Sequence, residues 1–298
     1  MKYESLKDAD FEDILGQEDV KKQLKSALLS ERNIILIGPP GIGKTTLAKN
    51  VSKVLPEQDG DPAPFVRVQG SPDLTAEDLI GDIDPIKALK FGPRSEEAFS
   101  PGKIFRANKG VLFFDEVNRC SEKLQNTLLQ VLEEKEATIG SYKIDFEADF
   151  IFIGTMNPEE TSTEPLSDVF LDRFDMIYMH YPEDLGTEEK IVLQAGKQIR
   201  EWPEKLLKAC LRFVRNLRID ENIEKKPSVR ASLGLYERAQ THALLNNNKQ
   251  VTAEDVKEVV VSVLSHRIRL KPSMKYLKDP KNYVEEEFNK FAESGGYL

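Results

Sequence analysis

Three short stretches of this chain carry residues that could act together on a phosphate. The first, "GPPGIGKTT" at 38–46, fits the spacing G-x-x-x-x-G-K-[ST]. An apolar run, "NIILI", precedes it and a helical run, "TTLAKNVSKVL", continues from it, which is the strand–loop–helix setting the motif needs. Gly38, Gly41 and Gly43 let the backbone close around phosphate oxygens with its N–H groups turned inward. Pro39, Pro40 and Ile42 complete the loop, and Thr46 follows it into the helix. The helix N-terminus adds partial positive charge. Lys44 reaches for the β and γ phosphates, and the Thr45 hydroxyl is a ligand for Mg2+. A chance match in a chain this long is on the order of one in a hundred.

The second stretch, "GVLFFDEVNR", ends a buried strand in two carboxylates. Ligands of open α/β sheets bind outside that end. Asp115 suits the Mg2+ shell, and Glu116 suits the attacking water; alone, such a pair reads as a helix cap or a solvated turn. The third stretch, "PLSDVFLDRFD" at 165–175, sets Arg173 between Asp172 and Asp175 in an apolar connector with Leu171, Phe174 and Ile177. An exposed ion pair with either aspartate, worth under about 1 kcal/mol, is one reading of it. A planar donor for a transferring phosphoryl group is the other.

These residues need a scaffold, and the pattern supplies one. "NIILIG", "FVRVQ", "GVLFFD", "DFIFIGT" and "MIYMHY" (176–181) are strand candidates, several apolar throughout, as in a parallel sheet covered on both faces. Between them lie helical patterns. "EDVKKQLKSALLS" aligns Val20, Leu24 and Leu28, and "SEKLQNTLLQVLEE" aligns Leu124, Leu128 and Leu132 behind a capping Ser121. After "YPEDLG" the strand signal stops. Helical patterns follow at 187–200, 203–217, 228–245 and 252–270, the last capped by Thr252. The expected architecture is an α/β domain over 1–183 with a parallel sheet, then an all-helical domain over 184–298 whose tail ends in a Gly295–Gly296 pair.

Composition narrows the classes. The 298 residues carry a formal charge of −9, from 42 Lys and Arg against 51 Asp and Glu. Such a chain is a poor candidate for binding nucleic acid over its whole surface, although a local basic pore stays open. Two distant cysteines, Cys120 and Cys210, form neither a disulfide framework nor a zinc motif. The start is polar and acidic, unlike a signal peptide, and no apolar run nears the roughly 18 residues of a membrane span. The expectation is a soluble, cytoplasmic protein without membrane insertion.

Taken together, these stretches resemble an AAA+ ATPase of the MoxR group, relatives of the magnesium chelatase ATPase subunit. The likeness runs through "VQGSPDLTAEDLIGDID", "GKIFRANKGVLFFDEVNRCSEKLQNTLLQVLEEKEATI", "FIGTMNP", "PLSDVFLDRFD" and "PSVRASLGLYERAQTHALL", in family order over about residues 11–270. The resemblance implies a P-loop sheet domain with a helical lid, ATP and Mg2+ as cofactors, and a homo-oligomer, as a hexameric ring. It implies that Asn157 senses the γ-phosphate, against the plain reading of an Asn–Pro turn. It also implies that Arg230 is a second sensor, against that of an exposed helix residue. Arg173 becomes a finger for a neighbour's nucleotide, with Asp172 and Asp175 holding it meanwhile. Ile14, Leu15 and Gly16 resemble the adenine-pocket segment. Residues 70–105, with Phe91, Gly92 and Pro93 in a loop, look like the family's helix-2 insert, and 136–150 like the hairpin before the sensor strand. Lys143 is the only basic residue of that hairpin, and "NKGV" (108–111) lacks the aspartate of a guanine-selective motif, which favours ATP over GTP.

The function the resemblance implies first is ATP hydrolysis that remodels or matures a protein client, with a partner carrying a von Willebrand factor A domain. The alternative is the motor subunit of a metal chelatase. A nucleic-acid motor comes third, weighed down by the net charge and the poorly basic hairpin.

Overall fold

The computed structural model describes residues 4–56, 61–92, 95–139, 142–158 and 166–294, with backbone alone at Glu4, Glu96, 136–139 and 142–146. Pro93, the Lys143 side chain and the Gly295–Gly296 pair lie outside the described residues. The chain divides into two compact units: Met1–Gly38 with Gly43–Met179, and Pro39–Ile42 with His180–Leu298.

Runs of β-branched and aromatic residues build the sheet of the first unit. Strands β1 (Asn33–Ile37), β2 (Phe65–Gln69), β3 (Val111–Asp115), β4 (Ile151–Met156) and β5 (Phe174–Tyr178) pair in parallel in the order β2-β3-β4-β1-β5. Ile34 to Ile37 are all buried, as are Val111 to Phe114, so both faces are covered and the strands need no polar alternation. Helix α1 (Glu18–Leu29) buries Val20, Leu24 and Leu28, the expected face, each worth about 1.5–3 kcal/mol. Helices α2 (Lys44–Val54) and α3 (Glu122–Glu134) follow β1 and β3. Leu124 and Leu128 join Phe114, Phe152 and Phe174 in one core, while Leu132 is only partly buried against it. Ser121 stands at the N-cap of α3, but its carbonyl rather than its hydroxyl takes the first N–H groups, those of Leu124 and Gln125.

Strand β5 begins two residues earlier than its apolar run suggests. Phe174 pairs with Asn33 and packs on Phe152 and Phe170 at ring separations of 5.2 and 4.7 Å, so aromatic packing pulls it into the strand. The short helix α4 (Asp168–Leu171), capped by Ser167, leads into it and leaves Arg173 as the last residue before the strand. Between β2 and β3 come a helix at Ala76–Ile80 with a Thr75–Asp78 capping box, an antiparallel pair Gly81–Ile83 and Phe99–Pro101, and helices Pro85–Phe91 and Lys103–Arg106. Glu136–Ile139 pairs antiparallel with Tyr142–Glu147 ahead of β4.

The second unit is a helical lid of α5 (Leu185–Ala195), α6 (Glu204–Ile219), α7 (Val229–Leu245), α8 (Ala253–Leu264) and α9 (Pro280–Glu293). Two boundaries differ from the sequence pattern. Helix α5 stops before Gly196, where the Gln240 and Glu237 side chains take the next free N–H groups, those of Lys197, Ile199 and Arg200. Helix α8 stops at Leu264 because "RIRL" alternates with the period of a strand. Arg269–Leu270 pairs antiparallel with Ile223–Lys225, a small sheet that the helical reading missed. The tail belongs to the lid core through Tyr283, Val284 and Phe288 of α9. Thr252 does cap α8, in a reciprocal box with Asp255.

Lid packing centres on one buried carboxylate. Glu188 of α5 has no exposed surface and accepts from both Nη atoms of Arg218 at 2.6 Å, from Ser232 Oγ at 2.6 Å and from Arg215 Nη1 at 3.3 Å. Burial pushes its pKa up, yet the hydrogen bonds and charge of Arg218, with Ser232 and Arg215, hold it below the usual value. Arg218 also donates to the Pro227 carbonyl and lies 4.9 Å from the Tyr181 ring centre. Arg215 donates to the carbonyls of Pro182, Glu183 and Asp184.

Candidate active site

The C-terminal ends of β1, β3 and β4 put the motif residues on one edge of the sheet. Past β1, the Gly38 N–H donates to the Met156 carbonyl at 3.2 Å, tying the start of the phosphate loop to the end of β4. Gly43, at φ +98°, is the N-cap of α2. A Cβ there would meet Ile14 Cδ1 at 3.3 Å, so the segment of Ile14, Leu15 and Gly16 lies against the loop. Ile14 is buried, and Leu15 and Gly16 are half-buried, with Gly16 at φ +69°. Lys44 Nζ donates to the Gly38 carbonyl at 2.6 Å, folded back over the loop. Thr45 is half-buried, Thr46 is exposed, and the Thr46 carbonyl accepts from Asn50. In the second unit, Pro39, Pro40 and Ile42 are half-buried, and a Cβ on Gly41 would stand 2.9 Å from Arg230 Cγ. Arg230 itself is exposed on the first turn of α7.

Strand pairing builds the acid pair. Asp115 ends β3 opposite Gln69, the last residue of β2. Its Oδ2 accepts from Arg67 Nη2 at 2.6 Å and its Oδ1 from Thr155 Oγ1 of β4 at 2.7 Å. A carboxylate offers about four acceptor positions, so two remain. The Asp115 carboxylate and the Thr45 hydroxyl are both oxygen donors, the type a hard cation such as Mg2+ takes. Among the described residues there is no cluster of three or more His, Cys, Asp or Glu side chains placed for a metal.

Glu116 turns out of the sheet with left-handed backbone, φ 58° and ψ 52°, a conformation that costs a non-glycine residue about 1–2 kcal/mol. Its N–H donates to Thr155 Oγ1 at 2.9 Å, so one hydroxyl positions both acids. Its Oε2 accepts from Gln69 Nε2 at 2.8 Å and lies 3.3 Å from Arg119 Nε. Gly70 makes this approach possible. Its N–H donates to the Asp115 carbonyl, and a Cβ there would lie 2.0 Å from the Glu116 carbonyl oxygen.

Asn157 is half-buried one residue beyond β4, on the same edge. Arg173 does not pair as its sequence neighbours suggest. Its Nε is ion-paired with Glu133 of α3, and its Nη1 donates to the Val169 carbonyl at 2.7 Å. Asp175 pairs instead with Arg32, at 3.3 Å, because β5 runs alongside β1 and brings them level. Cys120 and Cys210 are buried free thiols, and burial pushes Cys120 up to about 11.

Arg67, Gln69, Arg119, Glu133 and Thr155 are the site's unforeseen members. The alternation of Arg67 and Gln69 in "FVRVQ" is the one signal that could have found a shared polar face, though not that β3 lies beside it.

Comparison with known proteins agrees with this fold. Residues 33–174 match the AAA domain of the dynein-related subfamily, and residues 215–287 match an AAA lid domain. The uncharacterized protein YeaC of Bacillus subtilis is 30% identical over 88% of this chain and 85% of its own length. Chaperone MoxR1 of Mycobacterium tuberculosis is 28% identical, over 86% of this chain and 73% of its own. Magnesium-chelatase subunit ChlI-2 of Arabidopsis thaliana is 29% identical, over 88% and 76%, and chelatase subunits recur among the relatives. A solved RuvB of Thermotoga maritima shares the fold with TM-score 0.57 at 18% identity, over 86% of this chain and 73% of that one.

Proposed function

This chain belongs to the AAA+ ATPases, as a distant relative of the MoxR chaperones and the magnesium-chelatase subunits, and we propose that it is a ring-forming ATPase motor subunit. One observation carries the site assignment: Thr155 bonds both Asp115 and the Glu116 N–H on the sheet edge that also holds the phosphate loop. In this reading the loop N–H groups and Lys44 bind the ATP phosphates. Thr45 and Asp115 hold Mg2+, which supplies charge neutralisation at the phosphate oxygens. Glu116 orients the attacking water, and Asn157 reports the γ-phosphate. Ile14, Leu15 and Gly16 line the base. Arg230 and a neighbour's Arg173 supply positive charge to the transferring group. Arg173, held by Glu133, is then in a resting position.

The expected output, remodelling of a protein client with a von Willebrand factor A partner, draws support from one named chaperone relative. The recurrence of chelatase subunits weighs more on the side of a motor for metal insertion, and that is the reading we favour. The test of the site is Glu116→Gln. Nucleotide binding should persist while phosphate release falls about 10³-fold; turnover at the parent rate would remove Glu116 from catalysis. The two outputs separate on co-purification. A chelatase-type partner would bring porphyrin-dependent stimulation of the ATPase, and a client-remodelling role would not. Stimulation by single-stranded DNA would favour the nucleic-acid reading over both.

A further inference from the structure

The lid carries a charged cavity that nucleotide chemistry does not use. The chain is acidic overall, yet residues 180–298 hold 21 Lys and Arg against 18 Asp and Glu. Arg267, Arg269, Lys271, Lys275, Lys278 and Lys281 concentrate that excess, with Asp279 the single acid among them. A cavity of about 370 Å3 opens in this region. Lys225, His266, Arg269 and Lys275 line it together with Ile268, Leu270 and Pro280. Ile268 and Leu270 are buried while the basic residues are exposed, so the floor is aliphatic and the rim cationic. Of the nearby acids, only Glu224 reaches a rim cation. Glu224 lies 3.5 Å from Arg269, Glu286 pairs with Lys278, and Asp279 caps α9. No described carboxylate pairs with Lys225 or Lys275. Just past Lys275, Tyr276 is 92% exposed and Leu277 74%. An aromatic and an aliphatic side chain held in water beside unpaired cations have the composition of a recognition surface.

We propose that this cavity docks an acidic segment of a partner protein that carries an apolar or aromatic anchor. The anchor fills the aliphatic floor, Tyr276 and Leu277 extend the apolar contact past Lys275, and the flanking carboxylates meet Lys225 and Lys275. A long polyanion such as DNA would gain the same cations but would run on over a chain of net charge −9, which repels it. A short acidic segment avoids that cost. Charge complementarity of this kind speeds encounter and selects the partner, while the apolar anchor supplies affinity.

The test uses the full chain and a fluorescent Glu/Asp-rich peptide with one central Phe-Leu pair, followed by polarisation. Binding should weaken with salt. It should fall about tenfold or more in Lys225→Glu/Lys275→Glu, and in Tyr276→Ser/Leu277→Ser, with ATP turnover unchanged in both. A peptide whose Phe-Leu pair is replaced by Ser-Ser should lose the difference between the second variant and the parent. If charge reversal disturbs folding, Lys225→Gln/Lys275→Gln gives the same reading more gently. Absence of binding, equal affinity in all variants, or tighter binding of single-stranded DNA than of the peptide would each overturn the proposal.

Discussion

Glu116 and Glu188 are the same side chain in opposite circumstances. Glu116 sits at a strand end on strained backbone, with a side chain 30% exposed and with Gln69 and Arg119, themselves accessible, among its partners. Glu188 is sealed in the lid, where Arg218, Ser232 and Arg215 satisfy it. The first arrangement lets a carboxylate change partners, as chemistry requires. The second makes the carboxylate a fixed part of the packing. Removing Glu188 there leaves Arg218 as an uncompensated buried charge, which costs far more than the pair contributes.

Arg173 tests where an intermediate case falls. If it is a finger parked on Glu133, Arg173→Ala should bind ATP normally and lose about 10³-fold or more in turnover, and parent activity per subunit should rise with concentration. Full activity in that variant would move Arg173 to the structural side, with Glu188. Next in size, Glu188→Ala should lower lid stability by about 3–5 kcal/mol because Arg218 is left buried and unpaired. Trp202, the only tryptophan, reports it: the ring stacks on Tyr236 at 5.7 Å, so denaturant titration of its fluorescence reads the lid alone. An unchanged midpoint would show that the network is dispensable. Smaller still, Gln69→Ala removes the hydrogen bond to the Glu116 carboxylate and the one from Arg67, and should shift turnover by less than about tenfold, with no change in the Trp202 midpoint. A loss comparable to that of Arg173→Ala would mean that Glu116 is not exchangeable at all.

Acid should act on the lid by a smaller margin. Burial raises both Glu188 and Asp255, but Arg218 and Ser232 outweigh it for the first. Thr252 and His242 do so for the second, bringing Asp255 to about 2. Both carboxylates therefore stabilise the fold in full above their ordinary values of 4.5 and 3.8, and that contribution is lost as pH falls through the lowered values. Trp202 emission should hold steady on acidification to about pH 4.5 and drift only below it, and Glu188→Gln should flatten that drift. A transition at higher pH would place the sensitive groups outside these two clusters.

Much of this was legible in the chain. Fully apolar runs identified the strands because a sheet covered on both faces needs no alternation, and Leu24 and Leu28 marked the buried face of α1. The loop at 38–46 and the acid pair are each local in sequence, so spacing alone was enough to propose them. The partners of the acids are not local. Gln69 reaches Glu116, and Arg67 and Thr155 reach Asp115, only through strand order, which spacing does not encode. Arg173 was assigned its sequence neighbours, yet strand pairing gives Asp175 to Arg32 and helix packing gives Glu133 to Arg173. The small lid sheet was overlooked because a short alternating run looked like the end of a long helix.

The close approach at Gly70 bears on how such a chain can change over generations. Every substitution away from glycine at this position adds a carbon where the Glu116 carbonyl already lies. Gln69 and Arg67 hold the acids through side-chain donors that other residue types also carry. Position 70 has no such neighbours in sequence space, so a lineage that keeps this site keeps that glycine.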